Sequence, residues 1–584
     1  MKQKLTGYPS IDKPWLKYYA KDKRNFILPN LSVYDFMLQN NKDNLDATAL
    51  DYFGKEYSYR ELIDKIDCCA DAFLALGIKQ GDAVSFCNPT TPEIYYAFYA
   101  LNKIGAVANM IDPRTNSLRI EEFILKTHST VVFYIDIAYP KIKDILSHKE
   151  IKKAISISAA DSLPLFLRMG YQAKNWIPTG KKAPSDEKYM SWKQFFTLGL
   201  ANKETYMVES DHPLKLPAGI VYTSGTTGVP KGAVLSNKNL LAMVYQNLCA
   251  EMGWAKNDRF LGIMPPFIAY GLVCGFALPL CLGMRVTIIP KFEVEKFDTY
   301  ILKYRPHHIM GVPSHIERLM FSDKLRKTDL GFLKTVIVGG DKMNPEDEVT
   351  VNDFLKAHNS NCRVIKGYGL TEMSSNAVFP RCNECNKIGS VGTPLVGNNI
   401  KVINLETGQE LGYNEIGEIC LTGPTLIDGY LNNEEESKKV FKMEEGVRWL
   451  HTGDTGYIDE DGVVFFCDRL KRMIVRYDGF KIYPAKIENV IRSIPDIKDC
   501  CVVGIQDREH PQGELPLAYI EVQNTSSIVP NDLRDVVMDA CQRGLPEYSQ
   551  PVDIRICCNF PITNVGKIDF RALQKMATEG NNNP

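Results

Sequence analysis

The chain has no uncharged apolar run of the roughly 20 residues needed to cross a bilayer. Its opening residues, from Met1 to Pro9, lack the apolar core of a secretion signal. An excess of charge is also missing: 69 Lys and Arg stand against 70 Asp and Glu, a net charge of −1, so no nucleic-acid partner is expected. Sixteen cysteines form no disulfide framework. Three adjacent pairs (Cys68-Cys69, Cys500-Cys501, Cys557-Cys558) lie in apolar contexts and read as small buried hydrophobes in a reducing compartment. Cys382 and Cys385 have zinc-ligand spacing, but no second Cys or His pair follows at the expected distance. These absences lead to the expectation of a cytoplasmic protein whose membrane contact is at most peripheral.

What is present is length and alternation. A chain of 584 residues exceeds one compact core and suggests roughly three or four structural units. Strand patterns at residues 82–87 and 131–135 alternate with helical ones at 57–62 and 92–101. Such alternation argues for a layered α/β domain with much parallel sheet. Further strands are expected at residues 285–289, 308–312, 335–338 and 363–366. From residue 471 the texture changes to a small α+β module. The expectation is therefore a large α/β domain over 1–470 and a small domain over 471–584. Residues 1–45 show no period and suggest no role. Residues 163–169 form an apolar segment with basic neighbours; its proline and short length favour ordinary packing over a membrane surface or an acyl-tunnel cover.

Chemistry gathers in glycine-rich turns. An apolar strand at 218–222 feeds Thr223, Ser224, Gly225, Thr226, Thr227 and Gly228, and Lys231 closes the loop. Ser236 stands where a helix N-cap belongs. The glycines let amide N–H groups turn toward an anion, the hydroxyls add donors, and Lys231 adds charge. This is a polyphosphate cradle, although glycine after Lys231 separates it from the common P-loop. A surface loop could share the composition, but not so readily the full string with its lysine. Two more turns, Gly339-Gly340-Asp341 and Gly367-Tyr368-Gly369, end strands of the same sheet pattern and are candidates for one crevice. Tyr368 offers a flat face for a base, Thr371 a hydroxyl, and Glu372 a hard oxygen ligand for Mg²⁺. Asp454, in Thr-Gly-Asp before a hairpin turning at Asp461-Gly462, could accept two hydroxyls on one carboxylate.

Together these strings resemble the signatures of the acyl-adenylate-forming enzymes: acyl-CoA synthetases, peptide-synthetase adenylation domains and luciferases. The likeness covers residues 45–578 and is strongest to a fatty acyl-CoA ligase. It implies ATP-dependent activation of a carboxylic acid to acyl-AMP, then transfer to the thiol of CoA or of a carrier protein; an inactive nucleotide-binding homologue is the reading of another class. On that likeness, Thr226, Thr227 and Lys231 hold the β- and γ-phosphates, Gly339 to Asp341 and Tyr368 flank adenine, and Asp454 and Arg469 meet the ribose. Glu372 places Mg²⁺, and Lys567, in a Pro-x-x-x-x-Gly-Lys string, bridges the acid and the α-phosphate. Lys471 corresponds to the hinge on which the small domain turns, and Gly479 to the thiol channel. Arg472, Arg476 and Lys481 are candidates for the phosphates of CoA. One extra residue separates Arg469 from Gly479, and Val475 falls where several members have lysine. Phe267, Ile268, Tyr270 and Gly271 correspond to the acid pocket. Ile268 cannot pair with an ammonium, and leaving one buried and unpaired would cost about 2–5 kcal/mol, so an apolar acid is expected rather than an α-amino acid.

Overall fold

The computed structural model describes residues 5–24, 27–174, 186–203, 212–223, 230–250, 252–478, 480–523, 530–562 and 568–579. Two seven-stranded sheets form the large domain. One runs in the order Val364–Lys366, Thr335–Val338, His308–Gly311, Arg259–Gly262, Arg285–Ile288, Thr48–Tyr52, Lys55–Ser58. The other runs Tyr189–Ser191, Lys153–Ile157, Val131–Ile135, Ala83–Cys87, Val107–Ile111, Pro217–Thr223, Lys231–Ser236. In each, neighbours are parallel except at the last pair, which is an antiparallel hairpin. Parallel strands covered on both faces read as continuous apolar runs, which is why the sequence pattern located them closely.

The helix Pro92–Lys103 is apolar on every side and almost wholly buried, as a helix sandwiched between layers must be. Its Tyr95 stacks on Phe276 at 3.8 Å between ring centroids, and its hydroxyl donates to the Gly275 carbonyl at 3.2 Å. Ser236 caps the helix Asn237–Cys249, accepting from the Asn239 amide at 3.3 Å. The Asn239 side chain reaches back to the Ser236 N–H and donates to the carbonyls of Pro424 and Leu426. That cap ties the hairpin bearing Lys231 to the loop leading to Tyr430.

A five-stranded antiparallel sheet built on Asn399–Ile403, Gly417–Thr422, Val447–Ile458, Phe441–Glu444 and Val464–Arg469 completes the large domain. The separate C-terminal domain has its own core, in which Ile487, Ile491, Cys500, Val502, Ile520 and Leu533 pack between helices and a three-stranded sheet. Its helices Pro484–Arg492 and Phe570–Glu579 and strands Ile497–Gln506, Glu514–Val522 and Asp553–Cys557 make up the small α+β module that the change of texture suggests.

Four expectations change. Tyr57 belongs to a strand, and the helix begins two residues later at Tyr59, capped by Ser58. Tyr368 and Gly369 lie in the short strand Tyr368–Leu370, paired with Ser375–Phe379, rather than in a simple turn. The apolar segment at 163–169 packs only at its start: Leu163 lies against the core, but Pro164 precedes a helix, Leu165–Lys174, whose first apolar side chains are exposed. Cys558 is exposed, whereas the other five paired cysteines are buried. The N-terminal segment, which suggested no role, buries Trp15 and Tyr19 completely or nearly so, and its Ser10 hydroxyl donates to Glu410 at 2.9 Å.

Candidate functional site

Thr223 ends its strand directly opposite Lys231, so the hairpin delivers both to the carboxyl edge of the sheet. Ser224, Gly225, Thr226, Thr227 and Gly228, like Gly479 and Lys567, lie outside the described residues. Lys231 is buried, ion-paired to Glu436, and set 5.0 Å from the ring centre of Tyr430. The lysine, with Lys439 assisting, holds the Glu436 carboxyl down to about 2. Tyr430 in turn donates its hydroxyl to Glu372 at 2.5 Å, and the Ile427 amide donates to the Glu372 carbonyl at 3.0 Å. Glu372 sits on the single turn Thr371–Met373, so a half-buried carboxylate faces the lysine through one phenol. Lys231, Tyr430 and Glu372 are thus one connected group.

Asp454 pairs across the ladder with Arg469, whose Nε lies 3.3 Å from Oδ1. Tyr368 donates its hydroxyl to Oδ2 at 2.9 Å. Asp454 is 0% exposed, yet Oδ1 accepts no hydrogen bond among the described residues. An orphaned acceptor on a buried carboxylate needs a donor, and a ribose hydroxyl fits that need. Burial pushes the Asp454 carboxyl up, while Arg469 and the Tyr368 hydroxyl pull it down. Glu372 is close enough for its charge to raise Asp454 as well, and Arg469 feels Asp454, Glu372 and Asp341 together. Lys231 and Glu372 are therefore joined through Tyr430, and Glu372 is joined to Asp454 by charge.

A bulge sets the aim of Asp454. Glu418 pairs with Thr455 while Cys420 pairs with His451, so Thr452, Gly453 and Asp454 arch over one intervening residue. Glu418 clamps the arch, accepting from the Gly453 amide at 2.9 Å and facing His451 Nδ1 at 3.2 Å. His451 Nε2 faces Glu444 at 3.0 Å, and these carboxylates raise the imidazole. Glu418, Cys420 and His451 bring ligand atoms within 4.8 Å of one another, the one such group among the described residues. Both ring nitrogens are already engaged by carboxylates, so the group reads as an ion-paired imidazolium. Cys382 and Cys385 come within 3.6 Å but gather no third ligand among the described residues. Glu418, Tyr430 and Glu436 were missed in the sequence, where a charge in an apolar strand was the available signal for Glu418.

Gly339 faces the segment expected to form the acid pocket, whereas Gly367 faces Phe379 and Asn376. A Cβ on Gly339 would stand 3.7 Å from the Tyr270 hydroxyl and 3.5 Å from the Gly367 carbonyl. Gly340 and Asp341 follow on the exposed rim. Tyr270 and Gly271 open a π-helical stretch, Tyr270–Ala277, and the Tyr270 hydroxyl is buried without a partner among the described residues. Phe267 is buried under the Arg114 guanidinium at 5.4 Å, and Ile268 is half-buried. Gly271 is required by packing, since a Cβ there would lie 1.8 Å from the Pro265 carbonyl oxygen.

Lys471 is near enough to Lys231 and Arg571 for both, after burial, to lower its ammonium. The candidates for CoA phosphates are already engaged: Arg472 with Glu488, Arg476 with Asp478 and Lys481 with Glu406. Of these, the Lys481 pair joins the small domain to the large one at 2.7 Å.

The profile of the AMP-binding enzyme family matches residues 37–431, and that of the AMP-binding enzyme C-terminal domain matches residues 486–567. The chain is similar to a probable 4-coumarate–CoA ligase 1 of Dictyostelium discoideum, with 32% identity over 89% of this chain and 91% of the relative. It is also similar to a long-chain-fatty-acid–CoA ligase of Bacillus subtilis (strain 168), with 27% identity over 97% and 98% of the two chains. Among solved structures, ATP-bound MatB from Rhodopseudomonas palustris shares the fold with a TM-score of 0.79, at 22% identity, over 94% of this chain and 99% of that one.

Proposed function

We propose the following reading for this chain, which belongs to the AMP-binding enzyme family: it joins an apolar carboxylic acid to CoA through an acyl-adenylate. Acyl-adenylate-forming CoA ligase chemistry is the common ground of the family and its relatives. The choice of acid and the residue roles are our inference. Relatives named for 4-coumarate and for long-chain fatty acids both take acids with apolar bodies, and the half-buried Ile268 beside buried Phe267 suits such a body.

The observation that carries the reading is the orphaned Oδ1 of buried Asp454, whose carboxyl feels the charge of Glu372, itself joined to Lys231 through Tyr430. In the first step a carboxylate oxygen of the acid attacks the α-phosphorus of ATP, and the bond to pyrophosphate breaks. Two anions must meet, so charge neutralisation and alignment are the main tasks. Asp454 would hold the ribose, Tyr368 would back the adenine, and Lys231 would leave Glu436 for the departing phosphates. Glu372 would carry Mg²⁺, which supplies further positive charge to the phosphates. Lys567 would bridge acid and α-phosphate. In the second step the CoA sulfur attacks the acyl carbonyl carbon and AMP leaves with the bonding pair. The small domain from residue 471 would turn on Lys471 between the steps, bringing the loop at Gly479 to the acyl group; Lys481 would then release Glu406.

Acid-dependent exchange of pyrophosphate into ATP, screened over fatty, hydroxycinnamic and amino acids, tests the first step. Mass detection of the CoA thioester tests the second. Exchange is expected with apolar acids and not with amino acids. Exchange with no acid in the panel would refute the enzymatic reading, and adenylate without thioester would transfer the acceptor role to a carrier thiol.

A further inference from the structure

A chain of polar side chains runs through the interior of the sheet that carries Pro217–Thr223. Asn109, in the fully buried strand Val107–Ile111, is itself 0% exposed. Its amide nitrogen donates to Ser85 Oγ at 2.8 Å and to Thr127 Oγ1 at 3.2 Å, and Ser85 donates to Ser129 Oγ at 2.8 Å. Asn109 Oδ1 accepts the Tyr222 hydroxyl at 2.8 Å. The Tyr222 ring stacks on Phe123 with centroids 3.6 Å apart, and burial pushes its phenol up, so it remains a donor. A buried amide in a parallel strand is costly unless its partners are all in place, so this network ties each member to one position.

The tie falls where the backbone has stopped supplying one. Strand Pro217–Thr223 pairs with Val107–Ile111 at Gly219 and Ile220, and its last residues pair with the hairpin partner, Tyr222 opposite Gly232 and Thr223 opposite Lys231. A Cβ on Gly232 would stand 3.3 Å from Tyr222 Cε1 and 3.3 Å from Leu431 Cβ. The Gly232 carbonyl accepts from the Leu431 amide at 2.7 Å, next to Tyr430. The hairpin end is thus held between the Tyr222 ring and the segment that bears Tyr430.

We propose that Tyr222 is a positioning residue for the nucleotide phosphates: anchored on Asn109, it fixes the hairpin end that presents Thr223 and Lys231. The inference rests on the phosphate role proposed for Lys231. Stacking on Phe123 leaves the strand end free to slide, whereas a hydrogen bond to a buried amide oxygen sets both length and direction. Glycine after Lys231 belongs to the same device, since it leaves room for the Tyr222 ring.

The test is calorimetric titration of the full chain, in the presence of Mg²⁺, with ATP and with AMP, which lacks the β- and γ-phosphates. Tyr222→Phe keeps the ring and its stack. It is expected to weaken ATP on the order of tenfold and to leave AMP within about twofold of the parent. Asn109→Ala combined with it should add little, because the two changes remove one interaction. Ser85→Ala breaks the network on the far side of Asn109 and should lower the melting temperature with ATP affinity unchanged. A Tyr222→Phe chain that binds ATP as its parent does, or that loses ATP and AMP equally, would overturn the proposal. So would a Ser85→Ala chain that loses ATP selectively. Lys231→Ala separates the two readings: if it treats ATP and AMP alike, the phosphate role of Lys231 is what fails, and if it weakens ATP alone while Tyr222→Phe does not, only Tyr222 is ruled out.

Discussion

Asp454 stands directly across the strand ladder from Arg469, with Nε 3.3 Å from one carboxylate oxygen and the Tyr368 hydroxyl 2.9 Å from the other. The arrangement leaves a buried carboxylate only half satisfied, and its opposing electrostatic neighbours follow from its place at the meeting of two sheets. Burial favours the protonated acid, and the charge of Arg469 works against it.

Asp454→Asn keeps the shape and the Tyr368 hydrogen bond while removing the charge. A hydrogen bond to a charged group contributes about 1.5–3 kcal/mol, so pyrophosphate exchange at low ATP should fall on the order of 10- to 100-fold. The melting temperature should hold or rise, because a desolvated charge has gone. Loss of stability with ATP dependence unchanged would remove Asp454 from nucleotide binding.

Glu418 acts one step back from that carboxylate. It holds the Gly453 amide at 2.9 Å and His451 at 3.2 Å, and through them the arch that presents Asp454. Glu418→Ala should raise the KM for ATP more than it lowers kcat and should destabilise the fold by about 1–3 kcal/mol, since it leaves the half-buried Gly453 N–H and the Nδ1 side of His451 without an acceptor. Glu418→Gln retains an acceptor for Gly453 and should restore most of the KM. A Gln variant no better than Ala would show that charge toward His451, not the clamp on Gly453, is what matters.

His451 gives a pH dependence with a definite sign. Glu418 and Glu444 face its two ring nitrogens and raise it above the ordinary 6.5. Burial of the ring works against the rise, and Lys401, ion-paired to Glu444, is the positive charge packed nearby. A group raised in the folded state stabilises fully below its unfolded pKa, and that contribution is lost as pH climbs through the folded value. Urea unfolding should therefore show stability falling as pH rises above about 6.5, and His451→Gln should remove that part of the slope. An identical slope in the variant would assign the pH dependence elsewhere.

The strands of the two large sheets were legible because burial on both faces leaves uninterrupted apolar runs, as at Val131–Ile135 and Thr335–Val338. The cap at Ser236 was legible because capping is local chemistry. Tyr430 and Glu436 were not, since their partners Glu372 and Lys231 are 58 and 205 positions away and only the fold brings them together. The helix at Leu165 was misjudged for a different reason. An apolar segment usually buries itself, and nothing local says when its neighbours have left no room. Likewise, Tyr368 and Gly369 read as a turn because glycine spacing conceals a strand whose partner comes only after Met373.

That hairpin yields the sharpest packing test. A Cβ on Gly369 would lie 1.6 Å from the Ser375 carbonyl oxygen, a backbone atom that cannot rotate aside. Gly369→Ala must push the two strands apart, and with them Tyr368, the donor to Asp454. Gly453 is the contrasting case: a Cβ there meets nothing within 4 Å, although its φ of +69° is in the left-handed region. Gly453→Ala should thus cost only the conformational penalty of about 1 kcal/mol. Gly369→Ala should cost several-fold more, of order 3 kcal/mol or above, with a matching loss of ATP affinity. Thermal unfolding of the two variants side by side decides it: equal shifts in melting temperature would mean that the strands separate freely, and that Tyr368 is not held by this pairing.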